Sequence, residues 1–340
     1  MNNIKSIVRP NILALNPYSS ARDDYSKTEG IFLDANENPF GSLNRYPDPY
    51  QQELKKLLGT LKNSSTENIF IGNGSDEIID LAFRIFCEPG KDKALTFSPT
   101  YGMYDVVAEI NNVELTKIPL NDSFQIDIEK TLPELENCKL MIICSPNNPT
   151  GNLINKKDIE LLLNRFKGMV LIDEAYIDFS INGSIIELIE KYNNLMVSQT
   201  LSKAWGLAAA RIGIAYSNSM VIDLFNKTKP PYNVSELNQK AACRAIIDQE
   251  KFELQKQKIL LEKNKLINEL NKLNIVQKIY PSDSNFLLVE FTDANKTYDK
   301  LINQQIITRN RSKLVQNCLR ITIGKTEENE QLLTALKNIQ

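Results

Sequence analysis

Residues 195–216 read LMVSQTLSKAWGLAAARIGIAY, and this stretch decides the class of fold. Both of its ends are short apolar runs of the kind that form buried strands. Directly after the first run, Thr200, Ser202 and Lys203 place two hydroxyls and an amine. Strands without a polar face belong to sheets that helices cover on both sides. We therefore expect an α/β fold that carries polar side chains at the end of a strand, where ligands bind in such folds.

The same alternation of apolar runs and helical patterns extends from about residue 68 to residue 217. Helical spacing of apolar residues occurs, for example, at 76–86 and 156–166. The candidate strands of this region are 69–71, 94–97, 114–118, 140–144, 169–172, 195–199 and 212–216. Strands that alternate with helices predict a large domain with a mostly parallel seven-stranded sheet.

The pattern changes after Pro230 and Pro231. Residues 235–273 have helical periodicity with one break, and the later candidate elements are strands at 286–291 and 319–323 and helices at 296–303 and from 326. This mixture predicts a smaller α+β domain. The expected organisation is an N-terminal arm with part of the small domain (1–45), a large domain (46–235) and a small C-terminal domain (236–340).

Composition is that of an ordinary soluble globular protein, with 42% hydrophobic and 24% charged residues among 340. The net charge of −2 argues against a nucleic-acid-binding protein, which would carry a basic patch. No apolar segment near the start resembles a signal peptide, and the apolar run 140–144 is far too short to span a membrane. We therefore expect a cytoplasmic protein with small-molecule substrates and no membrane partner.

The reactive residue types narrow the chemistry further. The sequence has no histidine, which excludes Ser-His-Asp and Cys-His catalysis and every histidine-bound metal. The five cysteines include no pair with CxxC spacing, so we expect no disulfide framework and no metal site. Any catalytic base must be Lys, Tyr, Asp, Glu or a cofactor group.

Other polar segments also adjoin the candidate strands. Asp173-Glu174-Ala175-Tyr176 follows 169–172, Ser145 to Gly151 follows 140–144, and Gly72 to Glu77 joins a strand to a helix. Arg211 immediately precedes 212–216. Each segment alone has a simple structural explanation, such as a helix cap, a turn or a surface ion pair. A helix N-terminus after glycines can also bind a phosphate, but this segment lacks both the dinucleotide and the P-loop fingerprints.

Taken together and in this order, these segments closely resemble the fold-type I aminotransferases that use pyridoxal 5′-phosphate (PLP), over nearly the whole chain. The resemblance implies that Lys203 carries the cofactor as a Schiff base and acts as the general base, with Asp173 and Tyr176 as its catalytic partners. It also implies a set of cofactor contacts. They are Ser75, Asp76, Tyr101, Asn148, Asp173, Tyr176, Thr200, Ser202, Lys203 and Arg211.

The implied roles agree with the chemistry of each residue type. A buried Asp173 would favour the protonated pyridine nitrogen that makes PLP an electron sink. Asn148 and Tyr176 can hydrogen-bond the phenolic oxygen of the cofactor, and Tyr101 offers a ring face for stacking. The backbone N–H groups of Ser75 and Asp76 would meet the cofactor phosphate. The hydroxyls of the 200–203 segment and Arg211 would complete that contact.

Further segments resemble the histidinol-phosphate aminotransferases of histidine biosynthesis: 15–18, 34–39, 45–48, 99–104 and 319–324. That family transfers an amino group between L-histidinol phosphate and 2-oxoglutarate. The resemblance implies that Tyr18, Asn36, Arg309 and Arg320 bind substrate, although Arg311 is an alternative to Arg309. It also implies that Tyr46 reaches the cofactor of a neighbouring subunit, so that a homodimer shares its active sites.

Other PLP enzymes on the same scaffold are the main alternatives. An aromatic aminotransferase would use Arg320 on a carboxylate, and a threonine-phosphate decarboxylase would share both the cofactor site and phosphate recognition. A module that kept the fold but lost catalysis is a different class of answer, and the presence of Lys203, Asp173 and Arg211 argues against it.

Overall fold

The computed structural model describes residues 4–18 and 30–339 and contains two sheets. The strands of the larger sheet are β1 (Ile69–Asn73), β2 (Lys93–Ser98), β3 (Glu114–Pro119), β4 (Cys138–Cys144), β5 (Met169–Asp173), β6 (Leu195–Thr200) and β7 (Ile212–Tyr216). They pair in the order β1-β7-β6-β5-β4-β2-β3. Only β7 runs antiparallel to its neighbours, so the expected mostly parallel sheet of seven strands is confirmed.

Helices surround both sheets. They are α1 (Pro10–Ala14), α2 (Gln52–Lys62), α3 (Ser75–Phe86), α4 (Met103–Ile110), α5 (Ile128–Thr131), α6 (Lys156–Arg165), α7 (Ser219–Thr228), α8 (Glu236–Ile247), α9 (Gln249–Leu270), α10 (Ala294–Asn303) and α11 (Thr326–Lys337). The expected break in the long helical region falls at Asp248, whose side chain accepts a hydrogen bond from the backbone N–H of Lys251. An aspartate in this position is a favourable start for the second helix.

The large sheet is apolar on both faces because each face packs against a separate hydrophobic cluster. In β4, Met141 and Ile143 belong to one cluster, and Ile142 between them belongs to the other. All three side chains are at most 1% exposed. Burial of each such side chain contributes about 2 kcal/mol, which is why the strand has no polar alternation.

The smaller sheet is antiparallel throughout. Its strands are β8 (Val276–Ile279), β9 (Phe286–Phe291), β10 (Arg309–Asn310) and β11 (Cys318–Thr322), in the order β10-β11-β9-β8. One face of this sheet packs into a third hydrophobic cluster together with residues of α9, α10 and α11. The α+β architecture expected for this part of the chain is thus present, although β8 and β10 were not expected from the sequence.

The N-terminal segment packs beside the large sheet. Ile4, Ile7, Val8 and Ile12 are buried in the cluster that contains Phe83 of α3. Residues 4–14 therefore lie against the helices of the large sheet. The domain boundaries expected at 45/46 and 235/236 stay predictions. No helix within residues 4–18 and 30–339 combines the length and the apolar character that crossing a membrane requires.

Candidate active site

The polar cleft of this fold lies where β1, β4, β5 and β6 end and β7 begins. Because β7 is antiparallel to its neighbours, Arg211 at its start reaches the same edge of the sheet as the carboxyl ends of the others. The residues that line the cleft are Ser75, Asp76, Tyr101, Cys144, Asn148, Asp173, Ala175, Tyr176, Thr200, Ser202, Lys203 and Arg211. The structure thus brings together every expected cofactor contact except Tyr46.

Asp173 is the deepest acidic group of the cleft. It ends β5, pairs in register with Cys144 and is 3% exposed. Tyr104 donates a hydrogen bond to its Oδ2 over 2.7 Å, and the backbone N–H of Ala175 donates to its Oδ1 over 3.2 Å. Burial raises the pKa of Asp173 to about 6, and these two hydrogen bonds oppose the rise. A cation placed beside this carboxylate would restore its charged form.

Lys203 lies across the cleft, with its Nζ 5.5 Å from the ring centroid of Tyr176. Burial lowers the pKa of Lys203, and the positive charge of Arg320 lowers it further. The preceding loop is held by Thr200, whose hydroxyl lies 3.0 Å from Oγ of Ser202 and accepts from the backbone N–H of Ser202 over 3.1 Å. A lysine with a lowered pKa is more readily available as a neutral, nucleophilic amine.

The N-terminus of α3 forms one wall of the cleft. Ser75 is its first residue, and no side chain of the described residues caps this helix. Close backbone approach depends on glycine here, because a Cβ on Gly213 would lie 2.3 Å from the carbonyl carbon of Gly74. Arg211 extends over the same region, with its Nη2 3.4 Å from Oδ2 of Asp76. Uncapped N–H groups, the helix dipole and a guanidinium together make a site for an anion.

Asn147, which the sequence analysis did not single out, joins the two loops that carry Tyr101 and Asn148. Its Oδ1 accepts from the hydroxyl of Thr100 over 2.8 Å, and its Nδ2 donates to the carbonyl of Pro99 over 2.9 Å. The side chain is 2% exposed. These buried bonds fix the spacing between Tyr101 on one side of the cleft and Asn148 on the other.

The small sheet closes the cleft from the opposite side. Arg320 on β11 donates from its Nη1 to Oδ1 of Asn148 over 2.5 Å. Its guanidinium also lies 5.2 Å from the ring centroid of Phe286, which contacts Tyr176 edge to face at 5.1 Å. Arg309 on β10 is directly opposite Arg320 in the register of the sheet. The two expected substrate arginines therefore occupy one face, next to the cleft.

Three expected site residues lie elsewhere in the single chain. Tyr18 is 72% exposed and lines a separate pocket with Tyr50. Tyr46 stacks on Tyr232 with a centroid distance of 4.3 Å, and it lines another pocket together with Asn36. Their expected contacts with substrate or with a neighbouring cofactor stay predictions.

Tyr104 and Cys144 are the other site residues that the sequence analysis did not identify. Tyr104 stands in segment 99–104, which resembles the family, but nothing in the sequence pairs it with Asp173.

Within residues 4–18 and 30–339, no group of three or more His, Cys, Asp or Glu side chains is arranged to hold a metal ion.

Comparison with known proteins identifies the family. A model of the aminotransferase class I and II family matches residues 13–336. The chain belongs to this family. A histidinol-phosphate aminotransferase of Bacteroides thetaiotaomicron is 49% identical over 100% of both chains, and one of Christiangramia forsetii is 48% identical over 99% of this chain and 98% of its own. The crystal structure of a histidinol-phosphate aminotransferase from Clostridium acetobutylicum is 26% identical, has a TM-score of 0.81, and matches over 87% of this chain and 91% of that one.

Aminotransferases of this class depend on PLP, and the residues of the cleft suit that cofactor. A phosphate matches the uncapped N-terminus of α3 beside Arg211. A protonated pyridine nitrogen matches the buried carboxylate of Asp173, and an aldehyde matches the amine of Lys203. Each reactive group of the cofactor therefore has a chemically complementary residue in the cleft of this aminotransferase.

Proposed function

We propose that this chain is a histidinol-phosphate aminotransferase, which interconverts L-histidinol phosphate plus 2-oxoglutarate and imidazole acetol phosphate plus L-glutamate in histidine biosynthesis. The observation that carries the proposal is identity of 48–49% over essentially the whole length of relatives with this name. The arrangement of the cleft supports it, because a PLP-compatible site lies next to a cationic face that suits a phosphorylated substrate.

PLP, when bound, supplies an aldehyde that reacts with amines and a ring that withdraws electrons from the substrate α-carbon. In this proposal the side-chain amine of Lys203 holds the cofactor between turnovers. Once substrate has taken its place, the free amine of Lys203 would move the proton from the substrate carbon that bears the amino group to the aldehyde carbon of the cofactor. Burial keeps the pKa of this amine below its ordinary value, which brings it closer to the working range of a general base.

Asp173 has an electrostatic role in this proposal. Its carboxylate would pair with the pyridine nitrogen of the cofactor and keep that nitrogen protonated. Tyr176 and Asn148 would hydrogen-bond the ring oxygen of the cofactor, and Tyr101 would stack on its ring. Tyr101 is half-buried and donates from its hydroxyl to Asp76 over 3.3 Å, which restrains the orientation of its ring.

The substrate phosphate binds, in this proposal, to the face that carries Arg309 and Arg320. Guanidinium groups bind phosphate through two parallel hydrogen bonds, and these charge-assisted bonds are strong. Glutamate binds the same pocket through its carboxylates in the other half-reaction. One arginine satisfies a carboxylate, so the second arginine contributes more to the phosphate substrate.

We further propose a homodimer that shares its active sites and works in the cytoplasm, without nucleic-acid or membrane partners. Ile31, Leu33 and Phe40 are 92%, 88% and 82% exposed in the single chain, which is unusual for large apolar side chains. A second subunit that covers this segment would bury them. It would also bring Tyr46 and Asn36 close to another copy's cleft, which explains why they lie outside their own.

A panel of amino donors tests the proposed function. The holoenzyme is given histidinol phosphate, unphosphorylated histidinol, phenylalanine and threonine phosphate with 2-oxoglutarate, and kcat/KM is measured for each. Histidinol phosphate should be the best donor, because unphosphorylated histidinol leaves cationic side chains unpaired. A preference for phenylalanine would replace the proposal with an aromatic aminotransferase. Release of CO₂ from threonine phosphate would replace it with a decarboxylase.

A further inference from the structure

The face of the small sheet that is turned towards the cleft carries one more arginine than substrate binding was expected to use. Side chains alternate across a strand, so residues on β9 and β11 divide into two sets. Leu287, Val289, Leu319 and Ile321 belong to the hydrophobic core of the small sheet. Arg320 therefore points to the other face, and Arg309, directly opposite it in register, shares that face.

Arg311 continues the same row. Its backbone N–H donates to the carbonyl of Cys318 over 2.9 Å, which extends the pairing of β10 and β11 by one hydrogen bond. It lies two residues after Arg309, so its side chain is on the same face. Its own carbonyl accepts from the backbone N–H groups of Leu314 and Val315, over 2.8 and 2.9 Å. These bonds fix the position of Arg311 at the base of the turn.

The three guanidiniums have no neutralising anion among the residues that the structure describes. In residues 4–18 and 30–339, no ion pair is formed by Arg309, Arg311 or Arg320. The Nε atoms of Arg311 and Arg320 are buried and have no hydrogen-bond acceptor in the described part of the chain. Burial lowers the pKa of Arg311, and the charges of Arg320 and Arg309 lower it further. Such an uncompensated cluster lowers the stability of the fold, and a ligand that supplies negative charge would reverse this cost.

We propose that Arg311 is a third ligand of the substrate phosphate and the residue that makes this site prefer a dianion over a carboxylate. This inference rests on the proposed function and extends its substrate pocket from two arginines to three. A phosphate ester carries nearly two negative charges at neutral pH and three acceptor oxygens. A carboxylate carries one charge and two oxygens. A third guanidinium therefore finds a partner only when the phosphorylated substrate is bound.

The test uses holoenzyme with Arg311→Gln, and Lys313→Gln as the matched control. Lys313 is exposed and only two residues away, so its loss removes the same charge from the same turn. Each half-reaction is followed separately through the absorbance of the cofactor. We expect Arg311→Gln to lower kcat/KM for histidinol phosphate at least about tenfold more than for glutamate, as is usual for one lost charge-assisted hydrogen bond. Lys313→Gln should lower kcat/KM for neither substrate.

Inorganic phosphate provides a second probe that does not depend on turnover. It should inhibit the wild-type half-reaction with glutamate competitively, and about tenfold more weakly in Arg311→Gln. Arg311→Lys, which keeps the charge but loses the planar fork, should fall between the two. It also keeps the test decisive if Arg311→Gln does not fold.

Thermal unfolding separates a binding role from a structural one. Without phosphate, Arg311→Gln should have a Tm equal to or above that of wild type, because it removes repulsion. Added phosphate should raise the Tm of wild type more than that of the variant. Equal losses in both half-reactions, or a lower Tm with unchanged phosphate inhibition, would overturn the proposal. If wild type rejects histidinol phosphate but phosphate inhibition still depends on Arg311, the proposed function fails and the role of Arg311 in phosphate binding stands.

Discussion

Tyr104 and Asp173 are joined by a buried hydrogen bond of 2.7 Å, although they are 69 residues apart. The bond links the first turn of α4 to the end of β5, and its acceptor is the carboxylate that we propose for the pyridine nitrogen. Burial alone would favour the neutral form of Asp173, and the hydroxyl of Tyr104 favours the ionised form. Tyr104 is thus a positioning residue that keeps Asp173 suitable for a cationic partner.

Replacement of Tyr104 by phenylalanine should raise the pKa of Asp173 further and weaken binding of PLP. A carboxylate needs to be ionised to pair with a cation, so the affinity for PLP should fall as the pH is lowered. This fall should begin at a higher pH in the variant than in wild type. A hydrogen bond to a charged group is worth about 1.5–3 kcal/mol, which corresponds to a shift of about one pH unit or more. The Kd of PLP, measured between pH 5 and pH 8 at about half-unit steps, gives the two profiles.

Tyr216→Phe is the matched control for that measurement. Tyr216 is equally buried, but its hydroxyl has no hydrogen-bond partner among residues 4–18 and 30–339. Its removal should leave the pH profile unchanged. If the two variants have the same profile, Tyr104 does not act through Asp173.

Asp173→Asn should lower kcat by about 10²-fold or more, because a neutral amide does not hold the pyridine nitrogen in its protonated form. In the apoprotein, the same substitution should increase the stability of the fold at neutral pH. The rise in pKa from 3.8 to about 6 means that the stability contributed by Asp173 is present below pH 4 and lost as the pH rises through 6. At pH 7 the ionised, buried carboxylate of Asp173 destabilises the apoprotein by about 3 kcal/mol. Asparagine avoids this cost but has one acceptor oxygen fewer, which offsets part of the gain.

Denaturant unfolding of the apoproteins at pH 4 and pH 7 measures this difference. Asp173→Asn should gain stability relative to wild type only at the higher pH. For the turnover measurement, Glu174→Gln serves as the control, because Glu174 is buried beside Asp173 but does not line the cleft. It should keep its activity within about threefold. An Asp173→Asn enzyme with nearly normal turnover would show that the acid only caps the segment after β5.

Lys203→Ala should abolish covalent attachment of PLP while the fold is retained. Lys203 is the only lysine that lines the cleft among the described residues, so no other amine is in place to substitute for it. Borohydride reduction followed by peptide mass spectrometry should find modified Lys203 in wild type and in Lys56→Ala, whose side chain is on the exposed face of α2. A reduced adduct on a different lysine in Lys203→Ala would refute the assignment.

Tyr46 should act across a subunit interface. A mixture of inactive Lys203→Ala and impaired Tyr46→Phe subunits should regain activity, because each heterodimer has one site with both wild-type residues. Random exchange of equal amounts should restore about a quarter of wild-type activity. The experiment requires that Tyr46→Phe alone is clearly impaired, and native mass spectrometry verifies exchange. No recovery in exchanged samples, or full activity of a monomer at high dilution, would contradict shared sites.

The sequence alone was sufficient to predict the large sheet and most of the proposed cofactor site. Most of its seven strands contain a continuous apolar run, as β4 and β5 do, and that pattern is a local property of the chain. The polar segments that contain Asp173 and Lys203 follow such runs directly. Because parallel strands end at the same edge of a sheet, their convergence in one cleft follows from the order of strands.

The tertiary structure decided the features that depend on pairs of distant residues. The pairing of Tyr104 with Asp173, the bracing by Asn147 and the three-arginine face each need two segments that are far apart in sequence. The strand β10 has only two residues and no apolar pattern, so its register, which sets Arg309 opposite Arg320, has no local signature. Periodicity records which side of an element is buried, whereas the partner of a polar side chain is selected only when the elements pack together.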